Sequence, residues 1–132
     1  MNRILVIEDE SQTRDLFIEC LEVEGFEAIG AENGYVGLQR IQEHLPNLVI
    51  CDILMPELDG YSVLIQLRQD PVTAIVPFIF LTAMSSGAEY RHGLELGADD
   101  YLIKPCTAED LLKAIERFVQ VKQQSNPLAT KH

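Results

Sequence analysis

The sequence predicts an α/β fold, a doubly wound sheet of five parallel strands with five flanking helices. Three observations predict it. Short apolar runs bounded by turn residues alternate five times with longer stretches in which apolar residues recur every 3.6 positions. The run Leu48–Cys51 is apolar on consecutive positions, as a central strand covered on both faces requires. Acids, a threonine and a lysine follow the ends of these runs, on the rim where open parallel sheets carry their chemistry.

Arg3–Ile7 reads as the first strand, and Ser11 as the cap of a helix whose apolar stripe is Leu16, Phe17, Cys20, Leu21 and Val23. Gly25 ends that helix. Glu27–Ala31 is a weaker second strand, after which Asn33-Gly34 opens a helix through Val36, Leu38, Ile41 and Leu45 that Pro46 stops. Leu48–Cys51 is the third strand. A loop with Pro56 and Gly60 leads to a helix that buries Val63, Leu64 and Leu67 and breaks near Asp70-Pro71. Phe78–Leu81 is the fourth strand, with Pro77 tolerated only at its start. A more polar helix over Gly87–Leu96, a short strand Tyr101–Ile103 and a last helix with Leu111, Leu112, Ile115, Phe118 and Val119 complete the pattern. Residues 1–121 are expected to form one domain, and the polar stretch 122–132 a frayed tail or linker.

Composition narrows the function classes. The chain has 132 residues, 47% of them hydrophobic, enough for a packed core, and a formal net charge of −11. An acid excess of that size argues against a sequence-independent grip on nucleic acid or on an anionic membrane, both of which need clustered Lys and Arg. Residues 1–50 alone hold ten acids against three arginines. No apolar run approaches the ~18 residues of a membrane span, and Glu8 and Asp9 interrupt any signal-peptide core. Cys20, Cys51 and Cys106 are odd in number and widely spaced, which supports neither a disulfide framework nor a zinc site. The expectation is a soluble cytoplasmic protein with reduced thiols.

The rim residues are more informative. Glu8 and Asp9 follow the first strand, Asp52 the third, Thr82 the fourth, and Lys104-Pro105 the fifth. Taken singly each has an ordinary structural use, such as a helix cap, a turn acid or a loop lysine. Their conjunction at the ends of four strands is what points to a site. Three carboxylates brought together repel and raise one another's pKa unless a cation neutralises them. Oxygen-only ligands with no His or Cys nearby favour Mg²⁺ over zinc.

In these residues the sequence resembles the receiver domain of two-component response regulators over positions 2 to about 121. The matching segments are Ile4-Leu-Val-Ile-Glu8-Asp9-Glu10, Leu48-Val-Ile-Cys-Asp52-Ile-Leu-Met-Pro56-Glu-Leu-Asp59-Gly60, Ile79-Phe-Leu-Thr82-Ala83 and Gly97-Ala-Asp-Asp-Tyr101-Leu-Ile-Lys104-Pro105. The resemblance implies strand order 2-1-3-4-5. It implies that Asp52 accepts a phosphoryl group and that Glu8, Asp9, Asp52 and the main-chain carbonyl of Leu54 hold Mg²⁺. Thr82 and Lys104 would bind the phosphoryl oxygens, and Tyr101 would be a rotating aromatic switch. The implied donor is a phosphohistidine on a histidine kinase or histidine phosphotransfer protein. The implied output is a downstream target or output domain, read through the face of the fourth helix, fifth strand and fifth helix.

Several positions depart from the family's pattern. Glu8 stands where an Asp is often found, and Cys106 where Phe often follows Lys-Pro; the cysteine reads as a small apolar filler. Leu54 and Met84 occupy positions that influence hydrolysis and are apolar, so slow loss of the phosphoryl group is expected. Ala114 and Val121 leave basic positions of the last helix unfilled, which argues against dimer pairing there. Two other readings compete. A degenerate receiver would keep the fold for protein binding alone, but every expected site residue is present. A phosphatase of the haloacid-dehalogenase type would need a second Asp two residues after the nucleophile, where this chain has Leu54. On the favoured reading the chain is no turnover enzyme and catalyses only its own Mg-dependent phosphorylation and dephosphorylation.

Overall fold

The computed structural model describes residues 2–83 and 87–119. In chain order the elements are β1 (Arg3–Ile7), α1 (Ser11–Val23), β2 (Glu27–Ala31), α2 (Gly34–His44), β3 (Leu48–Asp52), α3 (Gly60–Gln69), β4 (Phe78–Thr82), α4 (Gly87–Leu96), β5 (Asp100–Ile103) and α5 (Ala108–Ile115). The expected tail 122–132, Met84 and Val121 lie outside the described residues. All strand pairs are parallel, as the sequence predicts, and the order is β2-β1-β3-β4-β5, as the family resemblance implies.

The consecutive apolar residues of β3 have a direct explanation. Side chains alternate across a strand, so Leu48 and Ile50 enter the cluster with Phe17 and Leu21 of α1 and Leu111 and Ile115 of α5. Val49 and Cys51 enter the opposite cluster with Ile41 of α2 and Val63, Leu64 and Leu67 of α3. Each fully buried aliphatic side chain contributes about 1.5–3 kcal/mol relative to exposure. The edge strand β2 is only partly covered, which accounts for its weaker apolar signal.

Local side-chain chemistry closes several helix ends. Asn33 caps α2 by accepting from the Val36 amide at 2.8 Å, and Asp59 caps α3 by accepting from the Ser62 amide at 2.9 Å. Thr107 and Asp110 close a reciprocal capping box on α5. Gly25, at φ 94°, turns the chain out of α1.

Other expectations need correction. Ser11 is the first residue of α1, and the capping position falls to Glu10, whose side chain makes no cap hydrogen bond. Leu16 and Val23 are 57% and 78% exposed and lie outside the core stripe. Phe17 and Leu21, four residues apart, define the buried line. At about 100° per residue, Leu16 and Val23 are rotated well away from it. Leu45 is 52% exposed because the chain leaves α2 through a left-handed turn at that residue. Ala114 is buried in the α5 core, so it is no surface position that a basic residue has vacated.

Candidate functional site

Parallel strands bring their carboxyl ends to one edge, and the acids follow from that register. Ile7 pairs with Cys51, and Asp52 pairs with Leu81, so Glu8, Asp52 and Thr82 end three adjacent strands side by side. Glu8, Asp9 and Asp52 each direct a carboxylate oxygen into one cluster whose atoms lie within 4.8 Å of one another. Glu8 and Asp52 are buried; Asp9 is exposed.

Lys104 closes the group from β5. Its Nζ donates to Asp52 Oδ2 at 3.2 Å and stands 2.8 Å from Glu8 Oε1. The Lys104 amide donates to the Thr82 carbonyl at 2.8 Å, which locks the lysine's backbone to the end of β4. Thr82 itself is 1% exposed. Glu8 is held from behind: its Oε2 accepts from the Glu10 amide at 3.1 Å, and its carbonyl accepts from Arg14 Nη1 at 2.8 Å. Leu54 follows two residues after Asp52 and is 62% exposed. The structure thus unites Glu8, Asp9, Asp52 and Lys104, with Thr82 at the end of the adjoining strand.

Tyr101 belongs to a different neighbourhood. Its ring lies half-buried on the α3–α4 side of the sheet, 5.4 Å from the Phe80 ring centroid.

The electrostatics follow from burial. The Glu8 carboxyl is raised above its ordinary pKa, first by burial and further by the neighbouring Asp52, with Lys104 and the Glu10 amide opposing. Asp52 is raised for the same first reason and by the charge of Asp9, again opposed by Lys104. Burial pulls the Lys104 ammonium down, but Glu8 and Asp52 outweigh it, so its pKa is raised. Cys51, fully buried beside Asp52, is pushed well above the usual thiol range and stays a neutral core residue. All three cysteines are free.

These residues fit a hard divalent cation. Three carboxylates face one ammonium, leaving uncompensated negative charge, and the buried Glu8 Oε1 has no hydrogen bond of good geometry. A carboxyl with a raised folded pKa binds its proton more tightly folded than unfolded. Its contribution to stability is therefore greatest in acid and is lost as pH rises through the raised value. Mg²⁺ should reverse that loss. Thermal melts with Mg²⁺ at ten times its dissociation constant should show about 1.4 kcal/mol of added stability at neutral pH, shrinking to nothing near pH 4.

Sequence reasoning missed how Gly60 contributes. A Cβ there would lie 2.5 Å from the Asp52 carbonyl oxygen and 3.0 Å from Ile53 Cα, both backbone atoms that cannot swing aside. The available signal is an Asp59 cap followed by glycine at a helix start. Gly60→Ala should cost about 1–3 kcal/mol in denaturant unfolding and weaken Mg²⁺ binding, because relief requires moving the backbone that carries Asp52.

A doubly wound sheet with a carboxylate cluster and a lysine at its carboxyl edge is suited to bind a hard cation and an anionic group such as phosphate. The chain belongs to the response regulator receiver domain family, whose sequence pattern matches residues 4–116. It is 39% identical over 129 residues to the "Probable transcriptional regulator ycf27" of Porphyridium aerugineum, covering 96% of this chain and 52% of that protein. It is 34% identical over 132 residues to the "DNA-binding dual master transcriptional regulator RpaA" of Synechocystis, covering 100% of this chain and 54% of that protein. The chain thus spans about half the length of the curated relatives it matches. The fold is similar to Vibrio cholerae chemotaxis protein CheY4, with a TM-score of 0.87 and 27% identity over 90% of this chain and 99% of that one. It is also similar to the signal receiver domain of a histidine kinase from Syntrophus aciditrophicus, with a TM-score of 0.82 and 32% identity over 89% of each chain. No described helix is long and apolar enough to cross a membrane.

Proposed function

We propose that this chain is a phosphoryl-accepting receiver in which Asp52 is the phosphorylated residue. The observation that carries the reading is Asp52 itself: a buried carboxylate at the sheet's carboxyl edge, hydrogen-bonded to Lys104 and clustered with Glu8 and Asp9. An Asp52 carboxylate oxygen attacks phosphorus, an O–P bond forms, and the P–N bond of a donor phosphohistidine protonated on its other ring nitrogen breaks, so that the electron pair stays on nitrogen and neutral imidazole leaves. Lys104 neutralises charge on the transferring group, and the Thr82 hydroxyl donates to a phosphoryl oxygen. Glu8, Asp9, Asp52 and the Leu54 carbonyl would hold Mg²⁺, which when bound supplies the positive charge that lets two anions approach. The chain catalyses only its own phosphorylation and dephosphorylation, the second by attack of water on the aspartyl phosphate with release of inorganic phosphate.

The acting unit is residues 1–121, with 122–132 as a tail or linker. The partners are a histidine kinase or phosphotransfer protein and a downstream target or output domain, in the cytoplasm, where free thiols persist. The receiver itself contacts neither nucleic acid nor membrane, since its net charge of −11 repels phosphate. When the phosphoryl oxygens draw in Thr82, Tyr101 changes its packing and shifts α4, β5 and α5 toward a signalling form.

Incubation with Mg²⁺ and acetyl phosphate tests this. The expected product carries one hydroxylamine-labile phosphoryl group on the peptide containing Asp52, and an unlabelled protein would end the proposal. Leu54, exposed and two residues after Asp52, has an apolar side chain with no group to orient a hydrolytic water. Purified phosphoprotein should therefore keep its label for minutes or longer, and a half-life of seconds would contradict this assignment.

A further inference from the structure

Gly93 stands inside α4, where glycine is a poor helix former because it orders more backbone than any other residue and has no side chain to pack. Its position has a steric reason. A Cβ built on Gly93 would fall 1.8 Å from the Tyr101 hydroxyl oxygen, 2.7 Å from Tyr101 Cζ and 3.0 Å from a ring carbon of Phe80. The phenol of Tyr101 therefore lies directly against the α4 backbone, in a slot that exists only because residue 93 has no side chain. The adjacent His92 packs on the Tyr61 ring, with centroids 4.7 Å apart, and Tyr61 and Tyr101 both meet Phe80. The underside of α4 thus rests on an aromatic group drawn from α3, β4 and β5.

We propose that Gly93 is the positioning residue for Tyr101: it makes the slot in which the ring rests, and so ties the seating of α4 to the side-chain orientation of Tyr101. If the ring swings out, glycine leaves a gap that no residue 93 side chain fills, so α4 must shift to close it. If a side chain is added at 93, the ring must leave. The steric claim stands on the contacts alone, whereas its signalling consequence rests on the receiver reading above.

The test uses full-length chain labelled with 3-fluorotyrosine, the Tyr101 signal being assigned by its loss in Tyr101→Phe. In the wild type that signal should show the small solvent isotope shift of a shielded ring. In Gly93→Ala it should move and acquire the larger shift of an exposed one. Beryllofluoride with Mg²⁺ then serves as the phosphoryl mimic. Because leaving the slot is the change that the phosphoryl group induces, Gly93→Ala should tighten its binding by about fivefold or more, and by less than about twofold in a Tyr101→Ala background, where no ring remains to be displaced.

An unchanged Tyr101 signal in Gly93→Ala would overturn the proposal, as would an equal effect on binding in both backgrounds. Should Gly93→Ala fail to fold, recovery of folding in Gly93→Ala/Tyr101→Ala would support the steric conflict, and failure of both would refute it. A wild type that binds no beryllofluoride would defeat the receiver reading, and the fluorine signal would still decide the role of Gly93.

Discussion

Asp52→Asn should leave a folded protein that takes up no phosphoryl group, a loss on the order of 10³-fold or more in the rate of labelling by acetyl phosphate or a phosphohistidine donor. The amide is nearly isosteric with the carboxylate and keeps an oxygen to accept from Lys104, which stands 3.2 Å from Asp52 Oδ2. It lacks the negative charge and the lone-pair availability that a nucleophile needs. Folding should not suffer. The Asp52 pKa is raised because burial and the Asp9 charge disfavour the ionised form, so a neutral replacement relieves that strain. The substitution therefore separates chemistry from stability. Denaturant midpoints at neutral pH should be equal to or above wild type, while phosphate incorporation vanishes. Full labelling of Asp52→Asn, or labelling mapped to Glu8 or Asp9, would assign the nucleophile elsewhere.

Arg68→Ala should destabilise the fold by about 2–4 kcal/mol, a large loss for a side chain that is only half-buried. Arg68 leaves α3 and spends its guanidinium on main-chain carbonyls. Nη1 donates to Ala74 at 3.1 Å and Val76 at 2.5 Å, and Nε and Nη2 donate to Gly97 at 3.2 and 2.8 Å. Nη2 also reaches Asp99 Oδ2 at 3.1 Å, and the same oxygen accepts from the Phe78 amide at 2.8 Å. One side chain thereby ties the α3–β4 connection to the turn at the end of α4, where Gly97 has φ 107°.

Hydrogen bonds to charged groups are each worth about 1.5–3 kcal/mol, less where water can replace the partner, and truncation leaves several carbonyls unpaired at once. Arg68→Lys should recover little of the loss, because an ammonium cannot span carbonyls on two segments as the planar fork does. Urea unfolding measures both. A loss below about 0.5 kcal/mol for Arg68→Ala, the range of an ordinary surface substitution, would show that water replaces these bonds without penalty. This network lies at the end of the sheet opposite Asp52, so phosphate uptake should survive.

How much of this was legible in the sequence differs by residue. The β3 strand was legible because a doubly covered strand must be apolar at every position, and Leu48–Cys51 is buried throughout. The cap at Asn33 and the break at Asp70 were legible because they depend on local backbone chemistry. The acids were legible as a site because parallel strands must deliver their ends to one edge. Leu16, Val23 and Leu45 were misjudged because apolar character does not say on which side of a narrow contact line a residue falls. Arg68 could not be read at all, since each of its carbonyl partners belongs to a loop whose path is set by the packing of the elements on either side.

The sequence by itself determined the alternation of strands and helices, the domain's parallel sheet and the residue types at its reactive edge. These depend on periodicity, local propensity and chain direction, all of which are written along the chain. Only the tertiary structure decided that Lys104 sits between Glu8 and Asp52 rather than reaching solvent, that Gly60 lets the α3 backbone approach Asp52, and that Tyr101 lies against Gly93. Each of these joins residues from different elements at contact distance. Steric exclusion and the desolvation of charge act between such atoms only after the core has packed.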